Sequence, residues 1–427
     1  MEGWGGAFTE SAALVLSQLN KPLYDEVMDA YFGPDGLQYT LGRVPMGSCD
    51  FSPDSHPWSY DDTAGDTNLT HFSVAHDKSR RFPLLHDALN RRRASNSTLR
   101  LLGSPWSAPG WMKDNGNMIC STKAIFKGCS LKKDADVRAA YAQYFTKWIA
   151  AYEAEGFTVW GVTVQNEPGE NLYTYEGMEF KAEDERDFLK EYLGPVMQKE
   201  APHVRVLFLD HNKDKLPEYA TTILNDPDAA KMVWGAAVHW YTGDHFDDLA
   251  DFHRNFSSFS VLATEATAAR DTKMAPMGGT WSRGEHYAHD MIGDFNNWVV
   301  GFIDWNLALD RHGGPEHIGP IVGDIFGSDA MVIADTHNQR VYLQSFYYYV
   351  GHFSKFVPVG SRRLEWSSTG FPDTLETTAF LTPDKTVVVV AMNTDDQPQR
   401  FTLHDTADAT DVTLPAHSIV TLRYAAE

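Results

Sequence analysis

Eight short apolar runs punctuate the chain, each closing on polar or aromatic residues and each followed by a stretch of helical character: Gly3–Phe8, Tyr39–Met46, Thr98–Ser104, Val159–Gln165, Val204–Asp210, Val233–His239, Ser260–Thr264 and Gly301–Asn306. A strand that is apolar throughout, rather than on alternate residues, has both faces covered, and strands separated by helices pair in parallel. Asp136–Glu155 sets Ala140, Tyr144, Trp148 and Tyr152 four apart on one helical face, and Glu183–Met197 and Trp281–Trp298 have the same character. Eight repeats of this unit predict an α/β fold closed into a (β/α)8 TIM barrel; an open doubly wound sheet typically has fewer strands. The pattern changes after about Phe353. Thr378–Leu381, Thr386–Met392, Gln399–Leu403 and Ser418–Tyr424 are short β-rich runs, some joined by turn formers such as Pro383-Asp384-Lys385 and Asn393-Thr394-Asp395-Asp396. The expected organisation is a catalytic barrel over residues 1–352 and a small antiparallel, sandwich-like β-domain over 353–427.

Composition removes several function classes. A formal net charge of −22 and a pI near 5.1 argue against a nucleic-acid partner, because phosphate binding relies on clustered Lys and Arg. The run Arg91-Arg92-Arg93 reads as a solvated helix end. Gly3, Gly5 and Gly6 do not continue into a G-x-G-x-x-G fingerprint, so no nucleotide cofactor is expected. There is no G-x-S-x-G elbow of a serine hydrolase. His239 has no second His or Cys at ligand spacing, so zinc chemistry is not expected either. The three cysteines, Cys49, Cys120 and Cys129, make no disulfide framework; Cys120 and Cys129 could close a short loop or stay as two thiols, and spacing decides neither. No stretch is long and apolar enough to span a bilayer. The opening MEGWGGAFTE lacks the basic start and apolar core of a secretory leader, a pattern that fits a mature fragment, a trimmed gene model or a cytosolic chain alike. Sequons at Asn68, Asn96 and Asn255 matter only after secretion.

In a TIM barrel the chemistry sits at the C-terminal ends of the strands. The second run is followed by Asp50, the third by Trp106, the fourth by Asn166-Glu167-Pro168 and the fifth by Asp210 and His211; the sixth ends on His239-Trp240-Tyr241, the seventh on Glu265 and the eighth on Trp305. Two glutamates facing each other without a metal cluster are what glycoside cleavage requires: one carboxyl protonates the leaving oxygen, the other attacks the anomeric carbon or activates water. Arg43, inside the second apolar run, needs a carboxylate partner; Glu265, held ionised, is the expected one, with a structural pair to another acid as the alternative. Trp106, Tyr241 and Trp305 are either sugar-stacking faces or core.

At these residues the sequence resembles glycoside hydrolase family 30, and within it the glucosylceramidase branch. The resemblance rests on GWGGAFTESAAL, RVPMGSCDFS, GSPWSAPGWMK, VTVQNEP, AVHWY, LATEA, DWNLALD followed by GGP, and YVGHFSKFVPVGS, in this order from Gly3 onward. It implies Glu167 as acid/base, Glu265 as nucleophile, glucose contacts from Asp50, Trp106, Asn166 and Trp305, and His239 and Tyr241 bordering the nucleophile. It implies metal-free hydrolysis of a β-glucosidic bond, glucosylceramide as substrate met at a membrane surface, and a secreted or lysosome-like location. The alternatives are an endo-glycanase of the same family acting on β-1,6-glucan or xylan through an open groove, and a barrel that binds glycan without cleaving it. There are two departures. Family members carry strands before the GWGG segment, so the β-domain is expected to be short of strands and to expose a sheet edge. After Gly313-Gly314-Pro315 the family's Asn-Trp and Asn-Phe give way to Glu316-His317-Ile318-Gly319-Pro320-Ile321, so that substrate contact does not carry over and the aglycone side is where differences are expected.

Overall fold

The computed structural model describes residues 1–54, 56–120, 129–169, 175–268, 279–317, 328–405 and 408–426. Each of the eight apolar runs overlaps one strand of a closed parallel barrel: β1 (Gly3–Ala7), β2 (Leu41–Pro45), β3 (Arg100–Ser104), β4 (Thr158–Thr163), β5 (Arg205–Asn212), β6 (Gly235–His239), β7 (Ser260–Glu265) and β8 (Val299–Asn306). The strands follow chain order, and β1 pairs with both β2 and β8 to close the ring.

The barrel interior is layered. Leu41, Leu102, Trp160, Leu207, Ala237, Leu262 and Ile303, one from each strand β2 to β8, form a single apolar cluster. Side chains alternate with a period of two along a strand, so the next inward positions are Arg43, Ser104, His239, Thr264 and Trp305. The layer above the apolar plug is therefore polar, and it faces the C-terminal mouth.

Helices cover the outside. Ala135–Ala154 starts at Asp134, whose side chain accepts from the N–H groups of Asp136 and Val137, and it buries Ala140, Tyr144, Trp148 and Tyr152 as its periodicity predicted. The segment predicted as one helix over 183–197 is broken: Ala182–Phe188 and Gly194–Glu200 flank a π-helical turn at Leu189–Leu193. Pro195 is the physical reason, since it lacks an N–H and its ring crowds the preceding turn. The arginine run is not simply solvated, contrary to expectation. Arg91 pairs with Asp25 and Asp29, and buried Arg92 donates to the Phe32 carbonyl at 3.0 Å; only Arg93 is exposed.

After β8, three short strands, β9 (Ala308–Asp310), β10 (Val332–Asp335) and β11 (Arg340–Leu343), form a small sheet that the sequence did not announce. A helix at Ser345–Ser354 follows, then β12 (Arg362–Arg363), β13 (Leu375–Leu381), β14 (Thr386–Asn393), β15 (Gln399–Asp405), β16 (Asp408–Leu414) and β17 (Ser418–Ala425). The order β12-β13-β14-β17 makes one antiparallel sheet with β17 at its edge, and β15-β16 form a separate hairpin. β16 escaped prediction because Asp408-Ala-Thr-Asp-Val-Thr-Leu414 is polar and mostly exposed. Cys120 and Cys129 form a disulfide, which decides between the two possibilities left open; Cys49 is buried and free. No helix among the described residues is long and apolar enough to cross a membrane.

Candidate active site

Arg43 organises the polar layer. It is wholly buried and donates through Nη1 to Glu265 Oε2, through Nη2 to Asp210 Oδ2 (2.8 Å) and Asn166 Oδ1 (2.7 Å), and through Nε to Ser104 Oγ (3.1 Å). Its guanidinium lies 4.8 Å from the Trp106 ring centroid and 5.6 Å from that of Trp305, and the two indoles stack on each other at 5.1 Å. Both partners considered for Arg43 are thus present, Glu265 and a second acid. A guanidinium suits this position because its planar fork can serve several acceptors while staying charged.

The second acid, Asp210, was visible in the sequence only as a strand end. Its Oδ2 accepts from Arg43 and Thr163 Oγ1 (2.6 Å), its Oδ1 from Thr264 Oγ1 (2.7 Å) and His239 Nε2 (3.1 Å). Burial opposes its charge, but Arg43 and His239 outweigh it and hold the carboxyl far below the ordinary range. A backbone irregularity puts it there. The β5–β6 register shifts between Leu209 and His211, with Leu209 at φ 75° and Asp210 at φ 57°, so Asp210 enters the layer while Leu209 joins the outer core. The Asp210 carbonyl accepts from the Glu167 N–H (2.9 Å), and Glu167 itself sits at φ 43°. Such left-handed residues need surroundings that over-determine them.

Part of that support comes from Glu185, another residue the sequence did not single out. It is fully buried in the helix Ala182–Phe188, and its Oε1 accepts from the Leu209 N–H at 3.0 Å. Burial, with the Asp210 charge adding to it, lifts its pKa to about 8 against the pull of that hydrogen bond, so it is protonated in acid. Glu185→Gln, which keeps the acceptor, is therefore expected to leave kcat close to wild type. Glu185→Leu, which leaves a buried N–H unpaired at a cost of about 1–3 kcal/mol, is expected to lower kcat about tenfold or more with little change in KM. Equal kcat in the two folded variants would show that the bulge needs no support from this side.

The two glutamates meet at His239. Its Nδ1 lies 3.3 Å from Glu167 Oε1 and 4.0 Å from Glu265 Oε1, and a carboxylate oxygen of Glu167 lies within 4.8 Å of one of Glu265. Tyr241, 41% exposed, donates its hydroxyl to Glu265 Oε1 at 2.8 Å. Burial works against charging His239, yet Glu265, Asp210 and Glu167 raise its pKa to about 9. Burial also lifts Glu265, with Glu167 adding to the lift and His239 and Arg43 opposing it. The layer thus sets two cations, Arg43 and His239, against Asp210, Glu265 and Glu167; charge balance leaves one proton for the glutamate pair.

The structure gathers Arg43, Asn166, Glu167, His239, Tyr241 and Glu265 in one cluster. Trp106 and Trp305 are each 2% exposed and stack beside Arg43 rather than standing open as platforms. Asp50 lies at the side of the cluster; burial and the charges of Glu265 and Glu167 raise its carboxyl well above the ordinary range. Its Oδ1 is buried and has no hydrogen-bond partner among the described residues. Of the departing stretch 316–321, Glu316 and His317 are described and 318–321 lie outside the described residues. Glu167, His239 and Glu265 have the proximity of a metal-binding trio, as do Glu10, Asp54 and His76. The first trio would have to strip His239 of a proton its carboxylate neighbours hold; in the second, Glu10 already accepts from Trp58 Nε1 at 3.0 Å and pairs with His76. Neither donor set favours a metal.

The chain is similar to several known proteins. The mouse protein "Lysosomal acid glucosylceramidase" is 36% identical over 414 residues, covering 95% of this chain and 77% of the relative. The structure of SrfJ from Salmonella typhimurium superposes with a TM-score of 0.90 at 30% identity, covering all of this chain and 90% of that one. An endo-β1,6-glucanase structure superposes with a TM-score of 0.85 at 25% identity, covering 100% of this chain and 91% of that one. Residues 1–357 match the glycosyl hydrolase family 30 TIM-barrel domain and residues 360–422 the beta sandwich domain of the same family. The chain belongs to glycoside hydrolase family 30.

Proposed function

We propose that the chain is a retaining β-glucosidase that hydrolyses glucosylceramide by double displacement, with Glu167 as acid/base and Glu265 as nucleophile. The observation that carries this reading is the pair of carboxylate oxygens within 4.8 Å of each other, one carboxylate fixed by Arg43. Retaining glycosidases hold their carboxyls about 5–5.5 Å apart, whereas inverting ones leave about 6.5–9.5 Å for a water between them. Arg43 and Tyr241 both donate to Glu265, which favours its ionised form, so the shared proton falls to Glu167.

In the first step Glu167 gives its proton to the glycosidic oxygen, the C1–O bond breaks, a Glu265 oxygen bonds to C1, and ceramide leaves as the alcohol. In the second, Glu167 takes a proton from water, the water oxygen attacks C1 and the Glu265–C1 bond breaks, returning β-glucose. Glycosylation neutralises Glu265, which lowers the Glu167 pKa and lets one residue serve as acid and then as base. Asn166, held by Arg43, and Asp50, Trp106 and Trp305 are the glucose contacts in this scheme. The lipid would be met at a membrane surface. A secreted or lysosome-like setting accords with the Cys120–Cys129 disulfide. The test is covalent trapping with a 2-deoxy-2-fluoro-β-glucoside. Peptide mass mapping is expected to place the glucosyl adduct on Glu265; a folded protein that takes no label would favour a glycan binder.

A further inference from the structure

His317 follows β9 and contacts the loops after β2 and β4. Its N–H donates to the Asp50 carbonyl (3.0 Å), its Nδ1 lies 2.9 Å from the Ser52 carbonyl, and its Nε2 lies 2.8 Å from Glu176 Oε2. Asp50 and Ser52 follow β2, and Glu176 follows β4, so one imidazole ties together three of the loops that surround the site. Glu176 also bridges to Ile119, in the loop after β3. A carbonyl and a carboxylate both accept, so the ring satisfies them only with protons on both nitrogens. Burial opposes that charge, but Glu176, Ser52 and Asp50 raise the His317 pKa to about 9, so the bridge is an ion pair below that pH.

Burial is the largest cause of the raised Asp50 pKa; Glu265, Glu167 and Glu176 add to the rise and His317 opposes it. A pyranose with C1 between Glu167 and Glu265 presents the hydroxyls of its non-reducing end away from them. The buried Asp50 Oδ1 has no hydrogen-bond partner among the described residues, so a sugar hydroxyl that reached it would recover the cost of an unmet buried oxygen. Behind Asp50 the main chain is pinned by His317, and His317 is pinned by Glu176, which is 1% exposed. A second sugar placed against His317 would have to displace the imidazole and cost buried Glu176 its hydrogen-bonded counter-charge, which is unfavourable.

We propose that the His317–Glu176 bridge, braced on the main chain of Asp50 and Ser52, closes the sugar pocket at its Asp50 end and restricts the enzyme to a terminal, unsubstituted β-glucosyl residue. The inference rests on the glucosidase reading and narrows it, because an endo-acting glucanase must accommodate a sugar on that side. His317 and Glu176 act here as positioning residues, through Asp50 and through the space they fill.

The experiment compares an aryl β-glucoside with the corresponding aryl β-gentiobioside, in which a second glucose hangs on O6 of the first, and identifies the first sugar released. The wild-type protein is expected to release aryl alcohol from the glucoside and no intact gentiobiose from the gentiobioside. His317→Gly and Glu176→Gly are expected to release gentiobiose and to raise the kcat/KM ratio of gentiobioside to glucoside at least tenfold. His317→Asn, a milder change, is expected to shift the same ratio in the same direction. A lost stabilising contact alone would lower both rates and leave their ratio fixed. Release of gentiobiose by wild type as fast as glucose, or an unchanged ratio in folded His317→Asn, overturns the proposal. A wild-type protein that cleaves neither substrate would instead remove the glucosidase reading beneath it.

Discussion

Glu265→Gln is expected to lower turnover of glucosylceramide and of aryl β-glucosides by on the order of 10⁴-fold or more, whatever the leaving group, because the covalent step loses its nucleophile. Glu167→Gln should behave differently. A general acid contributes roughly 10²–10⁴-fold, and only where the leaving oxygen needs a proton. With a dinitrophenyl leaving group the first step needs no acid, so that variant should form the glucosyl-enzyme quickly and then stall for want of a base. Azide, which attacks C1 without deprotonation, is expected to restore its turnover and give a β-glucosyl azide. The two variants therefore separate the roles without assuming them. If Glu265→Gln were the variant rescued by azide, with β-azide as product, the assignments would have to be exchanged. The geometry argues against exchange, since Arg43 and Tyr241 both donate to Glu265.

The barrel was legible because both faces of a parallel strand are covered, which leaves continuous apolar runs such as Val233–His239 in the sequence. The polar layer was legible in part for the same reason: an arginine inside such a run, Arg43, has no solvent to turn to, while Glu265 closes β7 and Glu167 lies in the loop that follows β4. What stayed hidden was whatever depends on an irregularity. Leu207-Phe208-Leu209-Asp210 reads as a regular strand, and only pairing against β6 shows the slip that brings Asp210 inward. Glu185 looks like any helical glutamate until the bulge it supports is known. His317 was noticed only as a departure from a family pattern; its partner Glu176 lies far away in sequence, and no local signal links the two. The short strands β9 to β11 and the polar hairpin strand β16 lacked the run length that marks a buried strand.

Removing the charge of Asp210 is expected to damage both stability and catalysis, and to do so with a particular pH dependence. Asp210→Leu takes from Arg43 one of its two carboxylate partners and from Thr163, Thr264 and His239 their common acceptor. Breaking a buried pair from one side costs about 3–5 kcal/mol. Asp210→Asn keeps the shape and is the more informative variant. His239 has its pKa raised from 6.5 to about 9 with Asp210 among the causes, so it contributes stability that is fully present below about pH 6.5 and is lost as pH rises through about 9. The Asn variant should lack much of that contribution already at pH 6. Its stability deficit, read from denaturant midpoints, should therefore be larger at pH 6 than at pH 9.5. The alkaline limb of its kcat profile should also move to lower pH, because His239 then gives up its proton more easily beside the glutamates. A deficit of the same size at both pH values would mean that Asp210 acts through Arg43 alone, and that the proton on His239 is held by Glu265 and Glu167 without its help.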